Sequence, residues 1–253
     1  MKQKVIYRDM GRIPFSEAWD IQTALLKNLV HRKRSIRDGA EEDSLVPLRH
    51  YFLLCEHNHV YTLGKSGSED HLLINSQKRA EEGIEYFKIN RGGDITYHGP
   101  GQVTGYPILD LDEFFTDLHR YVRTLEEAIV QCIAHYGIKG QRLEGYTGVW
   151  INEPDHPRPW RKICAIGVHL SRWVTMHGFA LNVNTDLNYF DYIVPCGIAE
   201  GDKTVTSIQQ EIGRMIDMNE VKSILKSIFA DLFEYAYVEA DLPMDNLKIA
   251  NHT

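Results

Sequence analysis

Residues 84–90, IEYFKIN, lead without a break into 91–102, RGGDITYHGPGQ, and 102–111, QVTGYPILDL, carry the chain onward in extended form. β-Branched and aromatic residues on both sides of a glycine-rich stretch predict strands joined through a loop, with no helix between them. Glycine lets a ligand approach the backbone closely, so Gly92, Gly93, Gly99 and Gly101 predict a wall of exposed N–H groups, stiffened by Pro100. Arg91, Thr96, Tyr97 and His98 add side-chain donors and an aromatic surface. If 94–98 is extended, Thr96 and His98 point to one side and Tyr97 to the other. This composition suits a binding loop, and it also suits a bulged hairpin. A nucleotide phosphate is a poor occupant. GxGxxG is absent from the segment, and "GKS" at 64–66 has His59 where a phosphate loop needs its first glycine.

Outward from this stretch, "KVIYRDM" reads as a first strand. Trp19, Ile21, Leu25, Leu26, Leu29 and Val30 follow helical spacing between Phe15 and about Ile36. A polar loop over 37–47 precedes the strands "YFLLCEH" and "VYTLG", and 77–82 is a short helix. Leu118, Tyr121, Val122, Leu125, Ile129, Ile133 and Tyr136 mark a long amphipathic helix stopped at Gly137. Three extended runs follow, "TGVWIN", "KICAIGVHL" and "HGFALNV", the first two separated by the proline-rich "EPDHPRPW". A final helix spans roughly 219–237, with Val221, Ile224, Leu225, Ile228, Phe229, Leu232 and Phe233 on one side. Adjacent strands with grouped helices predict an α+β fold, a mixed or antiparallel β-sheet backed by helices. Strict β-α-β alternation is absent, which excludes a Rossmann fold.

The 253 residues are 43% hydrophobic and 25% charged, enough for a full core in one domain over 1–253, and no internal repeat or low-complexity linker divides them. A formal charge of −7 argues against nucleic acid as a partner. Positive charge concentrates at His31-Arg32-Lys33-Arg34 and Arg37, which reads as a solvated helix end or as a docking patch for an acidic protein. The beginning of the chain lacks a signal-peptide core and no apolar run approaches membrane-spanning length, so a cytoplasmic protein with reduced thiols and no membrane contact is expected.

Two of the four cysteines invite a catalytic reading. "IVPCGI" sets Cys196 between Pro195 and Gly197, where the next N–H is open to a reacting carbonyl oxygen. A lone cysteine is more often a small buried hydrophobe, but flanking proline and glycine suit a core strand badly. A thiol needs a neighbouring cation to ionise near neutral pH, and Lys162, opening "KICAIGVHL", is the candidate. Sequence spacing alone does not bring Lys162 to Cys196. Cys164 is a rival nucleophile, two residues from Lys162 and so on the same strand face, although its surroundings suit packing. Cys132 reads as helix core. Cys55, His57 and His59 alternate like metal ligands but lack a fourth at a zinc spacing, so no metal is expected.

"RGGDITYHGPGQ", "KICAIGVHL", "HGFALNVNTDL" and "PCGI", in this order, resemble the octanoyl-[acyl carrier protein]:protein octanoyltransferases, or lipoyl(octanoyl) transferases. "EHNHVYTLGKSG" is similar to a further segment of that family, and the resemblance spans roughly 15–215. It implies the fold of the biotin and lipoate protein ligases, and a reaction that opens endogenous lipoate biosynthesis and protein lipoylation. An octanoyl chain moves from acyl carrier protein to a lysine on a lipoyl domain, through an acyl-enzyme and without a cofactor. The acceptors implied are the lipoyl domains of 2-oxoacid dehydrogenases and the glycine cleavage H protein. By matching position, Cys196 is the nucleophile and Lys162 its activating partner. The acyl-binding segments are Arg91, Gly92, Gly93, Asp94, Ile95, Thr96, Tyr97 and His98, then Ala165, Ile166 and Gly167, then Gly178, Phe179 and Ala180.

Several expectations follow from that resemblance. Backbone N–H groups near Gly197 and in the glycine-rich loop are candidate oxyanion donors. Ile166, Phe179, Leu181 and Val183 are candidates to line a channel for the chain, and Arg32 to Arg37 to guide acidic acyl carrier protein. Cys164 stands where the family commonly has a small inert residue. "NEPDHPRPWR" before Lys162 is longer than the family pattern and is a candidate cover for the site, and about 238–253 is a variable C-terminal tail. Two alternatives stand beside this reading: an ATP-dependent lipoate or biotin protein ligase, which needs no thiol, and a non-catalytic module with an inherited acyl pocket.

Overall fold

A computed structural model describes residues 2–39, 49–194 and 201–242. In chain order its elements are β1 (Lys4–Arg12), α1 (Phe15–Arg37), β2 (His50–Glu56), β3 (Val60–Leu63), α2 (Ser76–Glu81), β4 (Glu85–Lys88), β5 (Ile95–His98), β6 (Gln102–Ile108), α3 (Leu118–Ala134), β7 (Gly140–Gln141), β8 (Val149–Asn152), β9 (Trp160–Ser171), β10 (Val174–Asn182), β11 (Lys203–Val205), α4 (Ile208–Ile212), α5 (Met218–Leu232) and β12 (Ala236–Val238). A large sheet runs β12-β1-β2-β6-β10-β9-β8-β7 with β11 beside β9, and a small one runs β4-β3-β5. β1 lies parallel to both neighbours, whereas β2, β6, β10, β9 and β8 pair antiparallel in succession. The mixed sheet expected from the strand pattern is present.

Two-residue alternation sorts the large sheet's side chains into two cores. Phe52, Leu54, Val103 and Leu181 pack with Tyr121, Leu125, Ile129 and Cys132 of α3 and Val221, Leu225 and Phe229 of α5. Tyr51, Leu53, Cys55, Ile108 and Met176 pack instead with Ala18, Ile21, Leu25 and Leu29 of α1. Fully burying each valine, leucine, isoleucine, phenylalanine or methionine among them contributes ~1.5–3 kcal/mol. Asp117 caps α3 by accepting the Arg120 N–H at 2.9 Å. In the second half of α1, Lys33 Nζ donates to Asp110 and Asp112 at 2.6 Å each and to the Arg172 carbonyl at 2.8 Å. The centre of the basic cluster is therefore committed to holding the β9–β10 turn.

The last helix is shorter than its apolar spacing predicts. α5 ends at Leu232, Glu234 takes a left-handed φ of 55°, and Ala236–Val238 pairs in parallel with Lys4–Ile6. Helical periodicity cannot see an incoming strand edge that captures the chain. β7, β11 and α4 were not read from the sequence either, being too short to show a period.

Candidate active site

A cavity of about 590 Å³ opens over β6, β9 and β10, within the range of small-molecule sites. It gathers Arg91, Gly92, Gly93, Asp94, Ile95, Thr96 and His98 of the glycine-rich stretch, Lys162, Ala165, Ile166 and Gly167 of β9, and Gly178, Phe179 and Ala180 of β10. Tyr97 is the exception among the expected binding residues. It alternates away from Thr96 and His98, stacks on Tyr189 and brings its hydroxyl to His59 Nδ1 at 2.8 Å. β10 divides the same way: Ala180 faces the cavity, while Leu181 and Val183, expected along a channel, lie in the helix-side core.

The loop is held from both sides by hydrogen bonds. Its carbonyls at Arg91, Gly93 and Asp94 accept the N–H groups of Lys65, Ser66 and Gly64 at 3.0, 3.2 and 3.2 Å. The "GKS" segment thus spends its backbone donors on protein carbonyls. Gly64 leaves no room for a side chain, since a Cβ there would lie 2.3 Å from the Gly93 oxygen. Gly92 N–H donates to the Val168 carbonyl at 2.9 Å and Gly101 N–H to Glu56 at 3.1 Å. The anticipated wall of open donors is therefore reduced: among the described residues, Gly93 and Asp94 keep N–H groups with no protein acceptor. Arg91 braces the loop, its guanidinium donating to the Thr62 carbonyl at 2.6 Å and hydroxyl at 3.0 Å. The Asp94 carboxylate accepts Ile95 N–H at 2.7 Å and meets His71 Nδ1.

Lys162 and Cys164 do not share a face. Val149 and Trp150 of β8 are consecutive, yet they pair with Cys164 and Lys162, so Ile163 is the extra residue of a β-bulge. The bulge sends Ile163 and Cys164 into the core with Cys132, and Lys162 to the cavity. Lys162, 8% exposed, sets its ammonium 4.7 Å from the centroid of the Trp150 ring, a cation–π contact. Burial pushes the Cys164 thiol far up, and the Lys162 charge offsets this only partly. Cys164 has the character of a packing residue.

Beyond Cys164, β8 no longer covers β9, and the cavity wraps around that open edge. One arm is enclosed, with a floor of Ala165, Gly167, Gly178 and Ala180 and walls of His98, Thr104, Tyr106 and His177. The other reaches Leu118, His119, Val122 and Arg123 of α3 and Gly145, Tyr146 and Thr147. Leu118, placed by its spacing on the buried face of α3, is instead 42% exposed there. Neither the "EPDHPRPW" connection nor the basic cluster at 31–37 lines the cavity.

The sequence reading missed Gln102, Thr104 and Tyr106. Their alternation along "QVTGYPI" was the available signal, since polar groups at successive second positions of a strand mark a face that is not purely hydrocarbon. His98 and His177 are kept neutral by burial, both lowered to about 3, and His57 behind them to about 4. His57 is spent on the Ile13 carbonyl and the Tyr106 hydroxyl at 2.9 and 2.6 Å. Among the described residues no group of His, Cys, Asp and Glu is arranged to hold a metal, and no helix is long and apolar enough to cross a membrane. Cys196 and Gly197 lie outside the described residues.

Residues 14–230 match the lipoyl protein ligase A/B catalytic domain. The chain belongs to that family. Within it, the chain is 52% identical to a protein of Cytophaga hutchinsonii named octanoyltransferase, over 92% of this chain and 93% of that one. It is equally 52% identical to an octanoyltransferase of Christiangramia forsetii, covering 92% and 97%. A bi-partite lipoate protein ligase from Thermoplasma acidophilum shares the fold, with a TM-score of 0.65 over 95% of this chain and 87% of that one at 14% identity. The α+β fold is that of the lipoate protein ligases.

Proposed function

We propose that the protein is an octanoyltransferase of lipoate biosynthesis, carrying octanoyl groups from acyl carrier protein to lysines of lipoyl domains through a thioester on Cys196. The observation that carries this reading is a buried lysine, Lys162, at one end of a cavity whose enclosed arm has a floor of alanine and glycine. Family relatives at 52% identity that are named octanoyltransferase support it.

The cycle balances with one thiol and one amine. A Cys196 thiolate beside the Lys162 ammonium attacks the carbonyl carbon of the octanoyl thioester. The carrier's sulfur leaves and takes a proton from Lys162, which becomes neutral. The acceptor lysine's amine then attacks the acyl-enzyme, the carbon–sulfur bond breaks, and Lys162 recovers a proton from the attacking nitrogen. Exchange of one thioester for another is nearly isoenergetic, and amide formation drains the intermediate. The N–H groups of Gly93 and Asp94 are available to the developing oxyanion. The enzyme works in the cytoplasm as one catalytic unit, with the residues after about 238 as a tail. Its acceptors are lipoyl domains such as those of the 2-oxoacid dehydrogenases and the glycine cleavage H protein.

The test is transfer without ATP. Mixed with octanoyl-acyl carrier protein and an unmodified lipoyl domain, the protein is expected to add an octanoyl mass to the lipoyl domain. Dependence on ATP with free octanoate, and release of AMP, would assign it to the ligases instead.

A further inference from the structure

The two arms of the cavity differ in what they can hold. Leu118, His119 and Arg123 leave the α3 arm open to water, whereas His98, Tyr106 and His177 of the other arm are at most 7% exposed. An alkyl chain belongs in the enclosed arm, where its surface leaves water. That arm runs along the β9–β10 ladder. Cys164 pairs with Leu181 beside Lys162, and Val168 pairs with His177 four residues further, ~13 Å along the strands. The floor between them is alanine and glycine. At the far end this floor meets the polar side chains of Tyr106 and His177, with Phe15 and Ile89 also lining the cavity.

We infer that the Tyr106–His177 end wall is the ruler for acyl-chain length, stopping the chain with hydrogen bonds instead of an apolar plug. This rests on the acyltransfer reading above. His177 adopts a left-handed φ of 60°, which a side chain rarely accepts without a reason. Its N–H donates to Gln22 Oε1 at 3.1 Å and its Nε2 meets Asn90 Oδ1 at 3.2 Å. Tyr106 is fastened to His57 at 2.6 Å. A soft hydrocarbon end yields to a longer chain by rotamer shifts. This end yields less, because further methylenes must part the buried Tyr106–His57 pair and move His177 off Asn90, which is itself exposed to water. Leaving the buried Tyr106 hydroxyl and His57 without partners opposes the hydrophobic gain of two methylenes. Burial holds His177 neutral, so the wall carries no charge at its own residue that would repel the methyl terminus from a distance.

The experiment compares kcat/KM for octanoyl-, decanoyl- and dodecanoyl-acyl carrier protein. The unaltered protein is expected to favour octanoyl over decanoyl by ~10-fold or more. His177→Asn, which tolerates the left-handed backbone and shortens the side chain, is expected to reduce that ratio by ~10-fold, in favour of decanoyl. Tyr106→Leu is the second variant, removing the hydroxyl and part of the ring, and is expected to shift the ratio in the same direction. The ratio is insensitive to a general loss of active protein, so a structural effect alone does not move it. An unchanged ratio in a folded variant overturns the ruler, as does an unaltered protein that transfers all three chains alike. If the unaltered protein transfers no acyl group of any length, the acyltransfer reading fails and takes the ruler with it.

Discussion

Lys162 and Cys164 stand two residues apart on β9 and belong to different parts of the molecule. The lysine borders the cavity against Trp150, and the thiol is sealed among Val149, Ile163 and Leu181 in the helix-side core. On a regular strand they would be neighbours on one face. One inserted residue separates a group suited to chemistry from one suited to packing. Residue type therefore says less about reactivity here than register does.

The comparison breaks most visibly at the lysine. Lys162→Ala is expected to slow formation of the acyl-enzyme by ~10²–10⁴-fold in single-turnover kinetics while thermal unfolding stays cooperative. Unchanged single-turnover rates would remove Lys162 from the chemistry and make both residues structural.

Acid sharpens the contrast between the polar cavity side and the apolar core. His57 is lowered to about 4, and His98 and His177 to about 3, in each case chiefly by burial. The unfolded chain binds a proton at each near the ordinary value of ~6.5, and the folded chain does not, so stability falls as pH drops from ~6.5 toward ~4. Each histidine contributes a slope of up to ~1.4 kcal/mol per pH unit in that window. Melting temperatures measured across it are expected to fall steeply, and a flat profile would show these rings protonated in the fold.

The smallest effect belongs to the thiol. Cys164→Ala is expected to cost about 1 kcal/mol in denaturant unfolding, as a modest core truncation does, with transfer rates retained. Loss of transfer in a stably folded Cys164→Ala protein would reverse the assignment of the two sides.

Much of this was legible in the sequence. The strand-loop-strand at 84–111, the absence of βαβ units and the apolar stripe of α1 all follow from local composition and period. The convergence of the glycine-rich stretch with 165–167 and 178–180 was implied by motif order and resemblance. Other features lie beyond a one-dimensional pattern. The bulge at Ile163 depends on how β8 pairs, and the end of α5 on capture of Ala236–Val238 by β1. That the loop's donors at Gly92 and Gly101 are already spent depends on Val168 and Glu56, which are distant in sequence. The polar alternation of Gln102, Thr104 and Tyr106 was readable, but the run was read only as an extended continuation of the chain.

The central claim is that the acyl group rests on Cys196 while Lys162 manages the protons. Mass spectrometry of the intact protein after brief mixing with octanoyl-acyl carrier protein, followed by peptide mapping, tests it most directly. The account predicts one octanoyl thioester, on the peptide bearing Cys196, absent from Cys196→Ser and removed on adding a lipoyl domain. A label on Cys164, or transfer that proceeds fully in Cys196→Ser, would contradict it.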